Sequence, residues 1–188
     1  MAVGASLGAT AVPLEFQVRD VAGKPLADAV LAVQLAGQPG RAAAGAVAQM
    51  AQRDRRFQPH VLVVQTGTAV SFPNFDTVRH HVYSFSTTKK FDIKLYAGTP
   101  ARPEIFDRPG VATLGCNIHD SMSAHIVVVD TPIYTKTDTG GAARLDLPRG
   151  THRLYYWHPD LGTPTLREQE LVVGAGTGRI ELTLRPAE

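Results

Sequence analysis

The segment Cys116-Asn-Ile-His119-Asp-Ser-Met122 brings a thiol, an imidazole and a thioether together on one short stretch of chain. A copper ion that alternates between Cu(I) and Cu(II) favours one soft thiolate, two imidazoles and a weak axial thioether, and three of those four ligand types stand here. The second imidazole must come from elsewhere, and Asn74-Phe-Asp-Thr-Val-Arg-His80-His81-Val82 offers two adjacent ones. Successive side chains of a strand point to opposite faces, so His80 and His81 cannot both reach the same pocket.

Each of these residues has a plainer reading. Cys116 is the only cysteine of the chain, which rules out an intramolecular disulfide and leaves a buried small hydrophobe as the alternative to a ligand. Met122 is also a residue type that fills cores. Closed zinc sites prefer four strong ligands, often with paired cysteines, so one thiol, two imidazoles and a thioether suit copper better. His60 and His125 are further candidates for an extra ligand, with surface or packing roles as the alternative, and His158 reads as structural. Asn74 and Asn117 are candidates for hydrogen bonding around the ligands, or for turn formation. The chain carries no glycine-rich phosphate cradle, no nucleophile elbow and no His-Glu-x-x-His helix, and it reads as a non-enzyme.

Ligands from two distant segments need a scaffold that holds both, and the composition describes one. The 188 residues are 44% hydrophobic and 19% charged, a globular balance. Short runs such as Leu14 to Val18, Ala29 to Leu35, Val61 to Val64, His81 to Phe85, Val111 to Leu114 and Ala124 to Val129 alternate or are β-branched, and turn residues separate them. No helical period is long enough to mark a helix. The expectation is an all-β protein in which Cys116 follows one strand and Met122 precedes the next.

The two regions resemble known families. Asn74, six residues before His80, together with Gly110, six residues before Cys116, and the strand Met122 to Val129, is similar to the cupredoxin pattern, with a ligand loop of amicyanin-like length. That resemblance implies a Greek-key β-sandwich with one type 1 copper ion, selects His80 over His81, and gives the ligand set His80, Cys116, His119 and Met122. The chain departs from the small electron carriers in having Leu114-Gly115 where many have an aromatic residue, and His81 where an Asn is common. Val18 to Val30 looks like the opening hairpin of a carboxypeptidase regulatory-like, transthyretin- or Ig-type sandwich. The rest of that pattern returns only at Thr137-Asp-Thr-Gly140, Leu147-Pro-Arg-Gly150 and Leu154-Tyr-Tyr-Trp157. The implied organisation is a discontinuous sandwich formed by 13–43 and 131–188, a cupredoxin domain inserted at 44–130, and a disordered stub at 1–12. The whole arrangement is similar to bacterial chains labelled methylamine utilisation proteins.

A copper carrier of this kind is expected to exchange single electrons with a redox partner protein in the periplasm, after removal of a leader peptide, and to be a monomer. The alternative is a protein that binds or delivers copper without carrying electrons. A net charge of +2, from 19 basic and 17 acidic residues, is too balanced for nucleic acid binding. No run approaches the roughly 20 apolar residues that span a bilayer.

Overall fold

Alternation is clearest in the first strand, where Leu14, Phe16 and Val18 are buried and Glu15 and Gln17 are not. The computed structural model describes residues 11–35, 40–119, 121–176 and 178–186. In chain order its strands are β1 (Ala11–Asp20), β2 (Val30–Gln34), β3 (Val47–Gln49), β4 (Ala51–Arg53), β5 (Arg56–Gln58) and β6 (Val61–Gln65). They continue with β7 (Thr68–Ser71), β8 (His80–Phe85), β9 (Lys90–Tyr96), β10 (Glu104–Phe106), β11 (Gly110–Gly115) and β12 (Ser123–Val129). The last five are β13 (Tyr134–Lys136), β14 (Ala142–Pro148), β15 (Gly150–Trp157), β16 (Arg167–Val173) and β17 (Arg179–Leu184). One 3-10 turn at Pro159–Leu161 is the only helical element among the described residues, and none of their helices could cross a membrane. The protein is all-β.

Strands from the two ends of the sequence pair with one another. Sheet order β14-β1-β17 forms one layer and β13-β2-β15-β16 the other. A shared core that includes Phe16, Leu31, Leu147 and Leu154 joins the two layers. The strand β1 starts at Ala11, opposite Pro148, so Ala11 and Val12 are sheet residues and not part of a disordered stub; residues 1–10 lie outside the described residues. The middle of the chain builds a second set, with β6-β12-β11-β8-β9 in one sheet, β10-β7-β3 in another, and the β4-β5 hairpin beside them. Its core includes Phe57, Phe72, Phe106 and Ile126. The chain leaves the first set and returns to it at one place, because the Gly40 N–H donates to the Asp130 carbonyl at 2.7 Å.

Strands β2 and β12 are apolar along nearly their whole length because both of their faces are covered. Leu31 and Val33 point into the first core while Val30 and Ala32 point the other way. Ile126 and Val128 point into the second core while Val127 and Val129 face Val30, Ala32 and Trp157. The outward faces of the two sheets therefore close on each other in an apolar seam. Covering both faces removes the polar alternation that a half-exposed strand would show.

Candidate metal centre

Cys116 lies just beyond the end of β11, between the flanking strands β12 and β8, and is 3% exposed. In the loop that follows, the Met122 N–H donates to the His119 carbonyl at 2.8 Å and closes a tight turn. His80 opens β8 and is fully buried. Its Nδ1 stands 3.9 Å from Cys116 Sγ, and its ring centroid is 5.1 Å from that of His119. One ligand atom each from His80, Cys116 and His119 lies within 4.8 Å of the other two.

The fit of these groups to a metal ion follows from their unused atoms. His119 Nδ1 is buried and has no hydrogen-bond partner. A buried polar atom left unpaired is costly, and a metal ion is one of the few partners that would satisfy it. At His80, the Asp76 carboxylate accepts from Nε2 at 2.8 Å. A carboxylate only accepts, so Nε2 holds the proton and Nδ1 turns a lone pair toward the cysteine. A carboxylate behind a ligating imidazole fixes its tautomer and raises its basicity.

Asp76 is itself held in place by surrounding donors. Asn74 Oδ1 accepts from the Asp76 N–H at 2.9 Å, and Asn74 Nδ2 donates to the Val78 and Tyr96 carbonyls at 2.9 and 3.2 Å. Asp54 and Arg55 form the tight turn of the β4-β5 hairpin, with φ of 54° and 55°, and their N–H groups donate to Asp76 at 2.7 and 3.0 Å. Burial opposes the charge on Asp76, but the Arg55 N–H, the His80 imidazole and the Asp54 N–H outweigh it and hold the carboxyl below its ordinary range. Behind His80, the Tyr96 hydroxyl donates to the Phe72 carbonyl at 2.6 Å and contacts the buried amide of Gln52. Burial, partly offset by that amide and reinforced by the nearby Cys116, pushes the Tyr96 phenol up to about 12, so it stays neutral.

His81 takes the other face of the strand. Its Nε2 contacts Asp92 and its ring lies 5.4 Å from Tyr83, away from the grouped ligand atoms. Met122 is 2% exposed and belongs to the same buried cluster as Cys116. His60 and His125 do not join the site; their rings meet each other at 5.5 Å, and His125 also meets Trp157 at 5.0 Å. His158 is a structural residue that hydrogen-bonds the Ala27 carbonyl at 3.0 Å. Asn74 organises the His80 loop, whereas Asn117 is exposed. At Gly115 a Cβ would come within 2.7 Å of the Tyr83 ring. The space an aromatic side chain at 115 would fill is thus taken by a ring from the neighbouring strand, and only glycine fits beneath it.

Asp76, Tyr96 and Gln52 were not singled out from the sequence. For Asp76 the available signal is its position four residues before His80; Tyr96 and Gln52 join only through the fold.

No family model matches the chain, and no curated protein matches it. Among solved structures it is similar to an amicyanin variant in its reduced Cu(I) form at pH 4, with 16% identity and a TM-score of 0.40 over 52% of this chain and 97% of that one. A purple cupredoxin from Nitrosopumilus maritimus is 20% identical with a TM-score of 0.37, over 44% of this chain and 98% of that one. A copper-containing nitrite reductase from Thermus scotoductus is 23% identical with a TM-score of 0.39, over 51% of this chain and 25% of that one. The case for the site rests on its own side chains.

Proposed function

We propose that this chain is a mononuclear copper protein whose ion is held by His80, Cys116, His119 and, more weakly, Met122, and that it carries single electrons between partner proteins in the periplasm. The observation that carries this reading is the convergence of one thiol and two imidazoles beside an apolar core, with a buried nitrogen of His119 left without a hydrogen-bond partner. When bound, copper supplies a one-electron Cu(II)/Cu(I) couple. The chain's residues contribute rigidity. Cys116 and His80 extend from paired strands of one sheet, and the Asp76 carboxylate fixes the ring of His80, so the ligands need not move between oxidation states.

His119 is the least buried of the three grouped ligands. The exposed side chains of Phe75, which carries the Arg53 guanidinium 5.0 Å from its ring centroid, and of Ile118 belong to the two ligand segments and are the groups this reading assigns to brief docking. With His80, Cys116, His119 and Met122 all taken as ligands, no coordination position is left open for a substrate, and the reading is a carrier and not an enzyme. The same reading treats 44–130 as a metal-bearing sandwich inserted in a discontinuous one, similar to chains labelled methylamine utilisation proteins, and the protein as a monomer.

The test is the visible spectrum of Cu(II)-loaded protein. A thiolate-to-copper charge-transfer band that disappears in Cys116→Ser is expected; a colourless wild-type protein with copper bound would refute the type 1 assignment. A reversible voltammetric wave with copper retained in both states separates electron transfer from copper delivery.

A further inference from the structure

We propose that His60 and His125 form a second, nitrogen-only binding site for a divalent transition-metal ion, walled on one side by Trp157.

The fold puts these two histidines together. Strands β6 and β12 run parallel, and the His125 N–H donates to the His60 carbonyl at 2.9 Å, so the residue before β6 lies beside the third residue of β12. Their rings meet edge to face with centroids 5.5 Å apart and an interplanar angle of 86°. His60 is exposed and its ring can turn, whereas His125 is partly buried and fixed by packing against Trp157.

The ring nitrogens are available for coordination. Among the described residues the His60 imidazole makes no hydrogen bond, and the His125 side chain makes one, between Nδ1 and Thr113 Oγ1 at 3.3 Å. The threonine hydroxyl can accept from Nδ1–H, which leaves Nε2 with a lone pair and orients the ring, as hydrogen-bond partners of metal-ligating histidines do. The set is two imidazoles completed by water, a donor type that suits Cu(II), Ni(II) and Zn(II), with Cu(II) bound most tightly. It contains no thiolate, which separates it chemically from the Cys116 pocket, and the proposal stands whether or not that pocket holds copper.

Trp157 provides the assay. It is the only tryptophan, it is 2% exposed, and its ring centroid lies 5.0 Å from that of His125. Bound Cu(II) at this distance quenches indole fluorescence. The full chain carrying Cys116→Ser and His119→Ala, which removes the first site, is titrated with copper(II) sulfate at pH 7. The expected result is quenching that saturates at one equivalent, and its loss when His60→Ala is added. His60 is exposed, so that substitution leaves the fold intact, and an unchanged near-ultraviolet circular dichroism spectrum verifies this. As a second readout, copper-loaded wild-type protein takes up one further equivalent of Cu(II) with an electron paramagnetic resonance signal showing two nitrogen ligands, and His60→Ala protein does not. Undiminished saturable quenching after His60→Ala, or no quenching in the parent variant, overturns the proposal.

Discussion

Replacing Asp76 with Asn keeps the shape of the side chain and an oxygen that can accept from His80 Nε2–H, but removes the charge. The carboxylate lies 2.8 Å from one nitrogen of the ring, and the other nitrogen lies 3.9 Å from Cys116 Sγ. With the width of an imidazole between them, the charge sits roughly 7 Å from the middle of that gap, and at an effective dielectric constant of about 20 a unit charge there is worth about 2 kcal/mol. A negative charge favours the more positive oxidation state, so its loss raises the reduction potential. At about 1.4 kcal/mol and about 59 mV per tenfold for one electron, the rise is about 100 mV. Mutating the carboxylate behind a ligating histidine, here by neutralising it, also weakens Cu(II) binding, by about 10- to 100-fold. Spectroelectrochemistry of Asp76→Asn against wild type, with copper affinity measured by chelator competition, tests both numbers. A potential that is unchanged or falls would show that Asp76 does not act on the metal electrostatically, and the argument from the carboxylate would fail.

Gly115→Ala drives a Cβ to within 2.7 Å of the Tyr83 ring. Overpacking of this kind costs about 1–3 kcal/mol, measurable by denaturant unfolding, and Tyr83→Ala in the same chain recovers much of it. His80→Ala abolishes the charge-transfer band and His81→Ala leaves it, as read in visible spectra of the two copper-loaded variants, because only His80 faces the cysteine. His125 has a folded pKa of about 4 against an ordinary 6.5, so as pH falls through 6.5 the unfolded chain takes up a proton that the folded chain refuses. Stability is then lost between pH 6.5 and 4, by up to about 3 kcal/mol. In chelator, His125→Gln flattens that part of the stability profile relative to wild type; an unchanged slope counts against the burial of a neutral imidazole.

The pairing of Cys116 with His119 was legible because thiol and imidazole stand three residues apart on one loop between strands, and the structure groups both with His80. Alternation separated His80 from His81 but could not choose between them; the choice came from a family spacing, and the structure turns His80 toward Cys116. The β4-β5 hairpin was not legible. Its two turn residues have positive φ, a conformation usually marked by Asn-Gly or Asp-Gly, and Asp54-Arg55 does not announce it. Asp76 was hidden for a related reason, since its role depends on donors from that hairpin. The apolar run of β12 was legible as a strand, but its doubly buried state depends on a sheet from the far ends of the sequence, which local periodicity does not report. Gly115 looked like a missing aromatic until Tyr83 was seen to occupy its place.

Strand β12 starts beside the ligand loop and ends next to Asp130, where the chain passes back to the outer sheets. Seven residues of strand at about 3.3 Å each put those two points roughly 20 Å apart. The cluster of His80, Cys116 and His119 thus sits at the end of β12 far from the place where the chain leaves and re-enters the first set of sheets, like a lamp at the far end of its bracket.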